Sequence, residues 1–253
     1  TSARDSFRKW HIERGLYTGI PRNNDFNGID QEGVGNFQTT SRNGLRCSAA
    51  TGYLKSIKNR PNLRIETDAM VLNILFDGKR ASGIRFRQYG QEKIVHAGGE
   101  IVLAGGAINS PQMLQLSGIG PAEHLRAHGI DVVHDNPGVG RDLQDHYQAR
   151  IVMELKRSIS VNDDVNNPLR LALTGLRYAL FRRGPMTFSS GHVGVFTKVL
   201  PQSATPDAQV HFIPFSATKS GGDLHPYSGV TAAVCQLRPE SRGEVMIASS
   251  DPL

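Results

Sequence analysis

Apolar and polar positions follow two periods along this chain, and the switch between them marks out its elements. Residues 62–67 alternate and predict a strand, and residues 71–76 predict a second. Asp77-Gly78 then signals a turn into a third strand at 81–88, giving a hairpin, and residues 94–96 can add a fourth. Ile101, Val102 and Leu103 form a continuous apolar run, which predicts a strand buried on both faces, as in a parallel sheet. Further strands are expected at 130–133, 149–155, 192–198, 208–213, 229–237 and 243–248. Helical spacing appears at residues 3–15, with Phe7 and Trp10 on one side, at about 48–57 behind a Ser48 cap, and at 121–128. The clearest helix is 169–181, where Leu169, Leu173, Leu176 and Leu180 repeat every three to four residues. Arg182 and Arg183 suit its negative end, and Gly184-Pro185 breaks it.

The chain is organised around residues 99–120. Ala104, Gly105, Gly106 and Ala107 follow the apolar run at once. Four small residues at the carboxyl end of a buried strand leave room for a ligand to approach the backbone. Asn109 or Ser110 can cap the helix that follows, with Pro111 at its first position, where a missing N–H costs nothing. Met113, Leu114 and Leu116 give it an apolar face, and Gly118 suits a left-handed C-terminal stop. The residues alone fit an ordinary strand–turn–helix as well as a ligand crevice.

Composition narrows the classes. With 253 residues and 38% hydrophobic content, a core of one large or two small domains is expected. No apolar run approaches the roughly 20 residues of a membrane span. The net charge of +6 is spread through the chain and reads as a solvated basic surface, with no motif for nucleic acid. Cys47 and Cys235 lie far apart, without metal or redox spacing, so a reducing cytoplasmic compartment is the default. The chain opens at Thr1 and closes at Asp251-Pro252-Leu253 just after an expected strand, as a piece of a longer protein would. Beyond about residue 148 strands dominate, and a domain boundary is placed there.

Several constellations invite chemistry. Asp25 and Asp30 sit in a polar loop whose spacing fits no calcium-binding hand. His124 and His128 have metal-compatible spacing but no third ligand nearby, so no metal is expected. Arg46, just before the Ser48 helix start, can assist anion binding or stand free on the surface. Asp145 and His146 are neighbours in sequence, and adjacent residues rarely face each other, so no acid–base pair is assigned. Phe188, Ser190 and His192 can line a substrate pocket or belong to a loop entering a strand.

The string Gly106-Ala107-x-x-Ser110-Pro111-x-Met113-Leu114-x-x-Ser117-Gly118-Ile119-Gly120 resembles the second signature of the glucose–methanol–choline oxidoreductases, flavin enzymes that oxidise alcohols. Asp25-Phe26-Asn27-Gly28 with Gln31-Glu32-Gly33, the Arg46-x-Ser48-Ala49 segment and Leu143-Gln144-Asp145-His146 are similar to further family strings. Asp142 departs from the family's Asn. The similarity runs from about residue 25 to 253 and is nearest to choline-dehydrogenase-like members.

The resemblance implies an α/β (α+β overall) fold: part of a Rossmann-like FAD-binding domain over 1–148 and part of an antiparallel-sheet substrate-binding domain over 149–253. It implies FAD, with Ala104, Gly105 and Gly106 at the cofactor, Arg46 and Ser48 beside it, and a backbone contact from Val71 to the adenine. The implied reaction passes hydride from a primary alcohol to the flavin and releases an aldehyde, with oxygen or a membrane quinone as final acceptor. The family's Gly-x-Gly-x-x-Gly turn does not occur in these residues. The catalytic His and its partner are expected beyond Leu253, so no catalytic residue is named and the isolated chain is expected to be inactive. Choline-oxidising relatives carry an acidic residue near Phe188–His192, and this stretch has none, which counts against choline. A rival class is a non-catalytic binding domain that kept the fold. A nicotinamide dehydrogenase is weaker, lacking the glycine turn and the acidic residue after it. The expected location is cytoplasmic, with peripheral attachment to a membrane as the alternative.

Overall fold

The computed structural model describes residues 19–187 and 191–252. The helix expected at 3–15 lies outside them. In chain order the strands are β1 (Gly33–Asn36), β2 (Ser41–Arg42), β3 (Leu45–Arg46), β4 (Ala69–Asp77), β5 (Arg80–Gln88), β6 (Gln91–His96), β7 (Ile119–Gly120), β8 (His134–Asp135), β9 (Gln148–Glu154), β10 (Val193–Thr197), β11 (Ala208–Ile213) and β12 (Gly229–Gln236). The helices are α1 (Lys55–Ile57, entered through a π turn at Ala50–Leu54), α2 (Gly106–Leu116), α3 (Ala122–Ala127), α4 (Val161–Val165) and α5 (Pro168–Phe181). They form two compact units. The first joins the residues up to Asn59 with His146–Pro239, and the second joins Arg60–Asp145 with Glu240–Leu253. The expected boundary near 148 therefore falls beside a unit boundary at Asp145. The segment before residue 60 joins the later strands because β1 pairs with β10.

The first unit is built on an antiparallel sheet of order β1-β10-β11-β12-β9. Branched residues suit the pleat, and Val34, Val193 and Val195 form one buried cluster on it. Phe26, Phe196 and Leu237 form another, with Phe37 packed against it. Gly194 makes that packing possible, since a side chain there would occupy the space of the Phe37 ring. The strands expected at 149–155, 192–198, 208–213 and 229–237 appear within a residue of their expected ends. α5 starts with Pro168 in its first turn and the Asn167 side chain accepting the Arg170 N–H at 3.1 Å. It ends on Arg182 in the left-handed conformation.

The second unit holds the β4-β5-β6 sheet. Both of its turns have two residues. Gly78 at φ 57° opens the first, and Tyr89-Gly90 at φ 52° and 78° make the second. α2 follows, and Gly118 at φ 85° stops it as expected. Fully buried Gln115 on α2 donates to Pro111 O and Val245 O and accepts from Ile247 N, which holds the 245–247 segment to the helix.

Four expected strands are not strands. Residues 62–67, 101–103, 130–133 and 243–248 make no ladder, apart from a single bridge between Gly243 and Leu143. The parallel pairing near 130–133 is made instead by His134–Asp135 with Ile119–Gly120. At 101–103 the expected burial also fails, with Val102 82% exposed. A strand needs a neighbour to take its N–H and C=O groups, and no described residue pairs with this run. The start of α2 also differs. It begins at Gly106 behind Gly105, without a side-chain cap from Asn109 or Ser110, and Pro111 lies inside it. The proline forfeits the helical bond to the Ala107 carbonyl, while its own carbonyl accepts from the Gln115 side chain at 3.1 Å.

Candidate functional site

In the second unit the glycine turn is open. Gly105 sits at φ −79° and ψ −1°, and Gly106 at φ +78°, a region that favours glycine. Ala104, Gly105, Gly106 and Ala107 are all exposed, and a side chain at Gly106 would meet nothing within 4 Å. No side chain caps α2, so its first backbone N–H groups are left for water or a ligand. These features fit a dinucleotide cofactor, which needs close backbone approach and an anion-tolerant helix start.

Val71 is half-buried on β4, paired with Phe86. The register shifts between Val71 and Asn73, so a bulge follows Val71 at once. β4 packs on α2 through Ser117, whose hydroxyl accepts from Ile74 N at 2.8 Å and donates to Met113 O at 2.6 Å. Val71 and the Gly105-Gly106 turn thus lie on two elements that pack together.

Arg46, Ser48 and His192 lie in the first unit. Arg46 is exposed on the β2–β3 hairpin, which Tyr178 of α5 holds by a hydroxyl bond to Gly44 O at 3.3 Å. Ser48 is half-buried and accepts from Thr51 N at 3.3 Å, the expected cap. Arg46, Tyr178, Met186 and His211 border one cavity of about 670 Å³. His192 is half-buried and borders a second, of about 460 Å³, with Arg182 and Arg183. Phe188 and Ser190 lie outside the described residues.

His211 was not predicted as a site residue. It stacks on Phe37 at 5.0 Å between ring centroids. It also borders a third cavity, of about 620 Å³, with Arg150 and Lys219. Desolvation holds its pKa below the usual imidazole value, so it stays neutral at pH 7. The signal was present in the sequence as a lone histidine within an alternating apolar strand. Among the described residues, the charged side chains at these cavities are Arg46 at the first, Arg182 and Arg183 at the second and Arg150 and Lys219 at the third, with no Asp or Glu.

The other constellations are used locally. Asp25 accepts from Asn27 N in its own loop and from the Gln38 side chain beyond β1, and Asp30 accepts from Glu32 N. His124 bonds Ile247 O and His128 bonds His124 O. No group of three His, Cys, Asp or Glu placed to hold a metal occurs among the described residues.

The family model described as GMC oxidoreductase matches residues 7–148. The chain is 40% identical over 245 residues to the oxygen-dependent choline dehydrogenase 1 of Chromohalobacter salexigens, covering 95% of this chain and 43% of that protein. It is 36% identical over 248 residues to the alcohol dehydrogenase [acceptor] of Pseudomonas putida, covering 97% and 45%. Among solved structures, a formate oxidase of Aspergillus oryzae RIB40 superposes with a TM-score of 0.87 at 23% identity, over 97% of this chain and 47% of that one. A fungal aryl-alcohol oxidase superposes at 0.76 and 23% identity, over 95% and 48%. The chain thus spans less than half the length of these proteins.

Proposed function

The chain belongs to the GMC oxidoreductase family, and we propose on that footing that it is the central part of an FAD-dependent alcohol oxidoreductase that takes a primary alcohol to its aldehyde. The observation that carries this reading is the open Gly105-Gly106 turn at the uncapped start of α2. FAD, when bound, supplies the hydride acceptor, and the protein supplies position and polarity. Gly106 and Ala107 offer backbone N–H groups to the cofactor, and Val71 offers its backbone. Arg46 and Ser48 are proposed as further flavin-contacting residues, in line with the family resemblance. His211, held neutral, can accept or donate one hydrogen bond to a hydroxyl in the cavity it borders.

The substrate-binding role is assigned to the strands after residue 148, and His192 is proposed as a pocket residue with Phe188 and Ser190. Among the described residues, cationic side chains and no carboxylate border these cavities, which favours a neutral alcohol over a quaternary ammonium alcohol such as choline. Oxygen and a quinone both remain as acceptors within this proposal, and the cytoplasm is the proposed location.

Gly106→Val in the complete flavoprotein tests the reading. Flavin absorbance per protein should fall severalfold, while Gly78→Val, at an exposed turn far from α2 in sequence, leaves it unchanged. A full flavin complement in the Gly106 variant would overturn the assignment of this turn.

A further inference from the structure

α5 carries an apolar stripe that no described residue covers. Leu169, Leu173, Leu176 and Leu180 are 71%, 57%, 55% and 64% exposed, and none of the helix's side chains is buried. At 100° per residue these four fall within an arc of about 60°. The opposite side is the seat, where Thr174, Gly175 and Tyr178 are half-buried and Tyr178 bonds the β2–β3 hairpin. The stripe therefore points away from the unit that holds the helix. Arg170 and Arg177 flank it, and Arg182 and Arg183 follow at the end. No Asp or Glu occurs from Pro168 to Gly184.

We infer that α5 docks this protein on an anionic membrane surface, lying flat with its leucines among the acyl chains and its arginines on lipid phosphates. The argument rests on charge complementarity. An in-plane amphipathic helix joins a leucine face to a cationic flank, and both are here without an opposing charge. A second copy fits less well. A two-fold pairing of this face would set arginines against arginines, with no carboxylate on the helix to meet them. The helix is also too short to span. Its 14 residues reach about 21 Å at 1.5 Å each, against about 30 Å of hydrocarbon. No helix among the described residues is long and apolar enough to cross a membrane. Because Tyr178 on the seated side borders the cavity of about 670 Å³, docking brings that cavity within about one helix diameter (10–12 Å) of the headgroups.

The test is vesicle flotation of the 253-residue chain with phosphatidylcholine alone and with phosphatidylglycerol added. Binding is expected only with the anionic lipid, and it should weaken as salt is raised. Leu173→Ser with Leu176→Ser should reduce it about tenfold, and Arg170→Gln and Arg177→Gln about fivefold each. These side chains are exposed, so far-UV circular dichroism and the melting temperature should stay unchanged. Equal binding by the variants, or no binding by the parent chain, overturns the inference. So does a concentration-dependent dimer that the leucine variant abolishes without any lipid binding. Binding that is lost when the chain is measured within a longer native protein assigns the stripe to an intramolecular neighbour and overturns it too.

Discussion

At the scale of single residues, His211 couples the cavities to pH. Its imidazole is half-buried and desolvated, which favours the neutral form in the folded state. The unfolded chain takes up this proton first, near the ordinary value of about 6.5. The associated stability is complete above that value and falls as pH drops below it toward the lower folded pKa. His211→Gln should flatten the decline of melting temperature in that window and leave its value at pH 8 nearly unchanged. A decline of unchanged steepness would show that another group governs it. Residues whose role is set by the local backbone were legible in the sequence. Gly118 stops α2, Ser48 caps the turn that leads into α1, and the turn after Asp77 opens on a left-handed glycine. Roles that depend on distant partners were not. Gln115 is fully buried because residues 245 and 247 bond to it from 130 and 132 positions away, and no local pattern announces that.

At the scale of elements, the same distinction separates strands that form from strands that do not. β4 and β5 meet across a two-residue turn, and β11 keeps its expected ends because it has partners on both sides. Residues 101–103 carry an equally strong apolar run and make no ladder, since an apolar run specifies burial and not the neighbour that would supply it. The helix at 106 starts earlier than its proline suggests, because a proline preference for the first turn is weaker than the backbone freedom of Gly105 and Gly106. α4 shows how a short helix is secured. Asp163 accepts from Ser160 N at 2.8 Å, from the Ser160 hydroxyl at 3.0 Å and from the Ser228 hydroxyl at 2.7 Å. Burial raises its pKa, but these hydrogen bonds outweigh it, and the net pKa lies below the usual aspartate value. The stability it contributes is therefore present above about pH 4, the unfolded value, and is lost as pH falls through the lower folded pKa. Asp163→Asn should cost roughly 1 kcal/mol near neutral pH, as a lost capping box does, and should lessen the further loss at acid pH. Urea melts at pH 7 and pH 3 measure both. A variant as stable as the parent at pH 7 would remove the carboxylate from this account.

At the scale of the whole molecule, a change in character near residue 148, from mixed helix and strand to mostly strands, was legible, and the compact units meet in sequence close by, after Asp145. The assignment of the N-terminal segment was not, because a four-residue strand with two glycines does not name its partner. The Gly105-Gly106 turn stands out in the sequence as small residues after an apolar run, and its openness fits the cofactor proposed for it. The bridge between Leu143 and Gly243, closed by hydrogen bonds of 3.0 and 2.7 Å in both directions, has one more consequence. The polypeptide leaves the second unit just after Leu143 and re-enters it just before Gly243, through a gap that a few residues can span. Topologically, the 94 residues between Asp145 and Glu240 are an excursion inserted into a scaffold that closes without them. Starting the chain at Arg60, excising 146–239 and joining the ends with a short glycine–serine link should leave a miniature that keeps the amide-exchange protection of β4, β5 and α2. Loss of that protection would mean that the scaffold leans on its insert.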